Sequence, residues 1–435
     1  MKPELIESSE HMDDLLERLA SEKLIAADTE FFRETSYYPR LALVQIASDS
    51  IVACVDPLAF DARPALRKIL LNQQLTKVFH SCSQDMEVLF YYLGEAPVSI
   101  VDTQIANALL TEHHQIAYAT LVEKELGTRL DKSQTRTNWL QRPLTAKQIQ
   151  YAGDDVYYLY QLHHILDKKL HHAGREKWFE EESSKLSSDS NSFQIEFDTL
   201  WKRVKGATKL TRNKLAIVQS IAEWRELLAQ KNDKTRRRVL ADDLVIQLAL
   251  DPPGNICTLN QLIDKKYKLN DKEKQLLLET IESAIQSPAE TWPDNQFNVQ
   301  DNQQKILLKA LQQIVNKKAE ELGVSSAILS SRRELENLIE RSILLSDHPL
   351  IVPKDLPIEL KEQNGNFLEV LDINAEKAAL KNVSTAARLS AEKQMILKTL
   401  SECNFNCTKT AKRLKISRSS LYNKIKKCNI QLDKS

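Results

Sequence analysis

Cysteine is sparse in this chain of 435 residues: six are scattered along it, too few and too far apart for a disulfide framework, so they are expected to stay thiols in a reducing compartment. Cys403 and Cys407 stand four apart, but no second Cys or His pair follows at finger spacing. The adjacent histidines at 113–114, 163–164 and 171–172 also lack a ligand-forming spacing, so zinc is not expected. No stretch approaches the about eighteen apolar residues that a membrane helix needs. The opening MKPELIESSEHMDD turns acidic where a secretory leader requires an apolar core. Together these absences give the expectation of a cytoplasmic protein with no membrane partner. Net charge is missing too, with 60 Lys and Arg against 60 Asp and Glu. That does not exclude nucleic acid, because phosphate binding needs local positive potential rather than net charge. A G-x4-GK[ST] phosphate loop is also absent, which excludes an ATPase of that class.

What is present is a set of carboxylates divided among three short stretches. Asp28 and Glu30 end the apolar run Leu24-Ile25-Ala26-Ala27, which predicts a buried strand, and residues two apart on a strand share a face. Asp85 follows the strand-like Lys77-Val78-Phe79-His80 and begins a helical pattern through Met86, Leu89 and Phe90. It is therefore placed at a strand-to-helix junction, where α/β sheets keep their sites. Tyr151 and Asp155 share a helical segment with Ile149, Ala152, Val156 and Leu159, and residues four apart on a helix are neighbours. Four carboxylates and a phenol can hold two hard divalent cations and orient a water beside them, chemistry suited to a phosphodiester.

The order Asp-Thr-Glu, then H-x4-D from His80 to Asp85, then Y-x3-D from Tyr151 to Asp155, resembles the ribonuclease D family of DEDD exonucleases in its tyrosine-bearing branch. The stretches Leu130-Asp131-Lys132-Ser133-Gln134-Thr135-Arg136-Thr137-Asn138-Trp139-Leu140 and Arg142-Pro143-Leu144 add to the likeness, which runs from about residue 3 to about residue 330. The resemblance implies a ribonuclease H-like α/β domain, a mixed sheet flanked by helices, followed by all-α domains. It implies that Asp28, Glu30, Asp85 and Asp155 bind two divalent metal ions, Mg²⁺ or Mn²⁺, and that Tyr151 orients the attacking water. Asp28 would bridge the ions, Glu30 and Asp155 would complete one, and Asp85 would support the other. The implied activity is 3′→5′ exoribonucleolytic trimming of structured RNAs such as tRNA precursors.

The chain is long enough for about three or four units. Strand and helix signals alternate to about residue 175, with Leu41–Ala47 and Ile51–Val55 forming a hairpin around Ser48-Asp49-Ser50. The serine-rich EEESSKLSSDSNS from Glu180 predicts a linker, so the exonuclease domain is expected over 1–195. Residues 196–290 resemble the helical HRDC module. Its run KNDKTRRR, Lys231 to Arg238, is read as either a solvated loop or a phosphate contact. Residues 296–385 form a second HRDC-like and connecting region that drifts, past about 332, toward the stretch joining the domains of bacterial enhancer-binding activators. Residues 386–435 resemble the Fis-type helix-turn-helix that ends those activators, with Ser417 as N-cap of a helix over 418–427. From 391 onward, eleven Lys or Arg face three acids. In the docking geometry of that motif Arg418, Ser419 and Asn423 approach base edges, while Lys424, Lys426 and Lys427 suit phosphates. RNA is thus the expected partner and duplex DNA a second. The alternative is a DNA-binding regulator whose nuclease domain is secondary or inactive. Oligomeric state is left open.

Overall fold

Nearly continuous apolar runs, buried on both faces, build the central strands of a six-stranded sheet in the first third of the chain. β1 (Glu4–Ile6), β2 (Leu24–Phe32), β3 (Arg40–Ala47), β4 (Val52–Val55), β5 (Thr76–Phe79) and β6 (Ile100–Asp102) lie in the order β1-β4-β3-β2-β5-β6. β2–β3 and β3–β4 are antiparallel, and β1–β4, β2–β5 and β5–β6 are parallel, so the sheet is mixed. The expected hairpin closes through the Ser48 amide, which donates to the Ile51 carbonyl at 2.9 Å. The computed structural model describes residues 1–345 apart from 136, 189–192, 194, 264–266 and 294–301. The expected helix-turn-helix, with Arg418, Ser419, Asn423, Lys424, Lys426 and Lys427, lies outside the described residues.

Helices cover both faces of the sheet. On one face α1 (Ser9–Leu19), α2 (Arg63–Leu70) and α3 (Ser83–Leu93) bring Met12, Leu15, Leu66, Leu70 and Leu89 against Ile25, Val44, Ile46 and Val55. On the other lie α4 (Thr103–Leu110), α5 (Tyr118–Leu126) and the 28-residue α6 (Ala146–Ala173). α6 starts in a reciprocal capping box between Thr145 and Gln148 and ends at Gly174, whose φ of 64° suits a residue without a β-carbon. Its Val156 and Leu159 pack on Ala26, Ala47 and Val52. Gly153 makes this approach possible: a β-carbon there would lie 2.5 Å from Pro3 Cβ.

The expected linker is corrected by the structure over most of its length. α7 (Glu176–Ser188) runs through it, because Phe179 is buried against Leu109, Leu166 and Leu170, and that packing outweighs the serine-rich composition.

Among the described residues no strand follows β6. The helices α8 (Arg212–Lys231), α9 (Arg236–Val239), α10 (Asp242–Leu250), α11 (Ile256–Leu262) and α12 (Asp271–Gln286) enclose a core of Trp201, Val218, Ile221, Trp224, Leu248, Leu277 and Ile281. Then come α13 (Asn302–Leu322), α14 (Ser326–Leu329) and α15 (Arg332–Leu345). The chain divides into two compact units, 1–335 and 336–435. Within the first, the α13–α14 corner is docked by Ser325 N donating to Ala108 O at 2.7 Å and Arg175 Nη1 donating to Gly323 O at 3.2 Å.

Tyr37, in the β2–β3 connection, joins the helical core. Its hydroxyl donates to Glu226, and Arg236 lies over its ring at 5.2 Å while donating to Glu226 Oε1 at 2.6 Å. The backbone amides of Tyr37 and Tyr38 both donate to Asp233 Oδ1 at 3.0 Å. The KNDKTRRR run is therefore neither a plain solvated loop nor a uniform phosphate contact: Asp233 and Arg236 form a joint, and Lys231, Lys234, Arg237 and Arg238 remain exposed.

Candidate active site

Three elements carry the five residues. Asp28 and Glu30 sit on β2 opposite Gln45 and Leu43 of β3, just before a bulge between Glu30 and Phe31. They share the face that α6 covers, since Ala26, two residues earlier, packs on that helix. α6 brings Asp155 and Tyr151 over the same strands. Asp85 occupies the first turn of α3, where the helix N-terminus favours negative charge. Asp85 and Asp155 are buried, whereas Asp28, Glu30 and Tyr151 are half-buried.

The carboxylates of these elements act on one another electrostatically. Burial, then repulsion from Asp85, Asp155 and Glu30, raises Asp28 well above the usual carboxylate range. Burial, then Asp155 and Asp85, pushes Glu30 up to about 9. Burial pushes Asp155 up to about 7, with the Tyr151 hydroxyl pulling it the other way. Burial likewise pushes Asp85 up to about 6 against a hydrogen bond from the Thr29 hydroxyl. Burial and the nearby carboxylates raise Tyr151, which keeps its hydroxyl protonated and able to donate.

Hard oxygen donors of this kind and number fit divalent cations such as Mg²⁺, whose charge would offset the burial and repulsion that raise these groups. Among the described residues no three or more His, Cys, Asp or Glu side chains are already gathered as an ion site. The donor set fits the metal by its chemistry rather than as a preformed cage.

Several residues support the site in ways the sequence reading did not assign. Asp102, at the end of β6, accepts from the amides of Ser81 and Cys82 at 2.9 Å and of Gln104 at 2.7 Å. It thereby caps α4 and fixes the turn that delivers Asp85; an Asp between a strand and a helical run is the signal that could have found it. His80 faces the Ile116 carbonyl through Nε2 at 3.1 Å and Thr103 Oγ1 through Nδ1 at 2.9 Å, while burial lowers its pKa, so it is a neutral brace. Tyr118 donates to the Asp155 carbonyl oxygen and ties α5 to α6 at the carboxylate's own residue. Arg33, just past β2, forms an ion pair with Glu87 of α3, linking two of the carboxylate-bearing elements.

The motif residues between 130 and 144 are anchored beside the site. Arg142 donates through Nε and Nη2 to the two carboxylate oxygens of fully buried Asp56, and to the Ala42 and Trp139 carbonyls at 2.7 Å. This paired geometry is the strong form of an Arg–carboxylate contact. It holds Trp139 with its ring 6.1 Å from that of Tyr151. No helix among the described residues is long and apolar enough to cross a membrane.

Known proteins resemble this chain in sequence and in fold. A family model described as 3'-5' exonuclease matches residues 3–171, and one described as bacterial regulatory protein, Fis family, matches residues 382–427. Ribonuclease D of Desulfotalea psychrophila is 32% identical over 344 residues, which are 78% of this chain and 91% of the relative. That of Xanthomonas oryzae pv. oryzae is 34% identical over 341 residues, 76% and 91% of the two. The solved structure of Escherichia coli RNase D, described as an exoribonuclease involved in structured RNA processing, matches with a TM-score of 0.72 at 28% identity, covering 87% of this chain and 99% of its own. Exonucleases of this fold depend in general on divalent metal. With its sheet, its helical region and most of its length shared with such relatives, the chain belongs to the ribonuclease D family and is a 3′→5′ exoribonuclease.

Proposed function

We propose that this enzyme trims the 3′ ends of structured RNAs such as tRNA precursors, releasing 5′-nucleotides one at a time, with two Mg²⁺ ions held by Asp28, Glu30, Asp85 and Asp155. The observation that carries the reading is that four carboxylates from three separate segments are all raised by burial, with Asp85 and Asp155 repelling both Asp28 and Glu30. When bound, the two ions supply an activated water and charge stabilisation for the departing 3′ oxygen. Tyr151 has the protonated hydroxyl needed to hold that water, and Trp139 packs beside its ring. The water oxygen forms the new bond to phosphorus as the bond to the 3′ oxygen breaks, so no covalent enzyme intermediate is required. Residues 196–290 act as an HRDC module, with exposed Lys231, Lys234, Arg237 and Arg238 available to phosphates.

A tRNA precursor with a labelled 5′ end tests this reading. Incubation with Mg²⁺ should give a ladder of products shortened from the 3′ end one nucleotide at a time, and chelation should abolish it. Internal cuts, or a ladder that survives chelation, would refute it.

The Fis family match over 382–427 supports a second role for the tail, duplex-DNA binding through Arg418, Ser419 and Asn423 at base edges and Lys424, Lys426 and Lys427 at phosphates. Truncation at 386 should leave single-stranded RNA cleavage intact, since every proposed metal-holding residue lies before 156. It should also weaken duplex-DNA binding and flatten its salt dependence by about 0.9 in log–log slope for each phosphate no longer neutralised. Equal DNA binding by the full-length and truncated proteins in a gel-shift titration would remove this role.

A further inference from the structure

One fully buried polar side chain beside the carboxylates has no partner. Gln45 is 0% exposed, and neither Oε1 nor Nε2 of its carboxamide has a hydrogen-bond partner among the described residues. Buried amides are as a rule hydrogen-bonded, and exceptions mark places where something else completes the group. Its position is specific. Gln45 is the β3 residue directly opposite Asp28 in the β2–β3 register, and residues opposite one another on paired strands share a face, with β-carbons about 4.5–5.5 Å apart. That face is the one under α6: Leu43 and Ala47, two residues to either side of Gln45, pack in the clusters that contain Ala152, Val156 and Leu159 of that helix. The next strand adds Cys54, which pairs with Gln45 and lies in the same apolar layer. The carboxamide is thus an isolated polar group in an otherwise apolar layer, adjacent in register to a residue of the carboxylate cluster.

A carboxamide of this length can donate through Nε2 to a carboxylate that itself only accepts. We propose that Gln45 is a positioning residue for Asp28: in the loaded site its Nε2 donates to the Asp28 carboxylate and holds that group in the orientation in which it engages the cation. This rests on the reading of Asp28 as a metal-holding residue. Partners that orient a metal-holding side chain from behind change metal affinity or activity by about 10–100-fold when removed.

The test uses the full chain with Gln45→Met, close in length and volume but without hydrogen-bonding groups, alongside Asp28→Asn. Mn²⁺ binding to the RNA-free protein is measured by titration calorimetry, kcat and KM on a 3′-labelled single-stranded RNA, and thermal unfolding in chelator. Gln45→Met is expected to weaken Mn²⁺ binding about 10–100-fold and to lower kcat while KM holds, with an unfolding midpoint no lower than that of the unaltered protein. Unaltered Mn²⁺ affinity and kcat in Gln45→Met, beside an inactive Asp28→Asn, would overturn the positioning role and leave the site reading standing. Mn²⁺ binding and turnover that persist in Asp28→Asn would instead overturn the site reading itself. A lower kcat accompanied by a lower unfolding midpoint and unaltered Mn²⁺ affinity would assign Gln45 to packing alone and overturn the proposal. Should the Met variant fail to fold, Gln45→Asn, which withdraws the amide by one methylene, carries the same expectations and the same overturning results.

Discussion

In the sheet region Asp28, Glu30, Asp85 and Asp155 all sit above the usual carboxylate range, whereas in the helical region Glu226, 1% exposed, sits below it. Burial acts in the same direction on both. It raises Glu226 too, but hydrogen bonds from Arg236 and Tyr37 more than reverse it. Nothing comparable offsets the four in the sheet region, whose charged neighbours are mainly one another. A buried carboxylate matched by a cation of the chain belongs to the architecture; a set of them left unmatched is the setting that the proposed metal-holding role requires. Both settings lie within one compact unit, and Tyr37 links them, since it follows β2 in the chain and packs in the helical core.

The contrast can be broken most strongly from the sheet side. Asp28→Asn or Asp155→Asn should lower kcat by roughly 10³-fold or more while RNA affinity is retained, because the carboxamide keeps the shape and loses the charge. In chelator the same variants should unfold at higher temperature, by about 1 kcal/mol of added stability, since a carboxyl whose charged form is disfavoured on folding is gone. Single-turnover kinetics beside a melting curve separate the two effects, and a variant that became both inactive and less stable would contradict the contrast.

From the helical side the sign reverses. Arg236→Ala leaves Glu226 buried without its cation and should cost about 3 kcal/mol in urea unfolding, the range for breaking a buried pair. Destabilisation below about 1 kcal/mol, the range of an exposed pair, would mean that the Tyr37 joint does not depend on the charge.

A dependence on pH sharpens the contrast from the side of the metal-free protein. In chelator the folded protein holds protons on Glu30, Asp155 and Asp85 that the unfolded chain has released, so the stability they contribute is fully present below about pH 4 and falls as pH rises toward about 9. Mg²⁺ should flatten the decline by replacing those protons. Melting temperatures with and without Mg²⁺ across this window check it, and a rise with pH in chelator attributable to these groups would oppose it.

Sequence periodicity carried much of this site. Asp28 and Glu30 were placed on one face by the strand period, Tyr151 and Asp155 by the helical one, and Asp85 by the junction between two patterns. What stayed hidden depends on partners distant in the chain. That Gln45 faces Asp28 is a matter of strand register, which no local pattern encodes. Asp102 steadies the turn before Asp85 from another strand, and Gly153 matters because Pro3 lies against it. The serine-rich run over α7 misled for the same reason, since the burial of Phe179 is decided by Leu109, Leu166 and Leu170. The helical architecture after β6 was legible in outline, and the joint between Tyr37, Asp233, Glu226 and Arg236 was not.

The two outer strands of the sheet, β1 and β6, are only three residues long. Each leaves a short row of unpaired backbone groups, too brief to template a strand from another molecule. At β1 the row is further guarded by Pro3 at its start, which has no amide hydrogen to offer, and by Glu4, tied to Arg18 at 2.6 Å. The catalytic sheet is thereby protected from edge-to-edge aggregation during folding, at the stage when its central hydrophobic strands would otherwise be most adhesive.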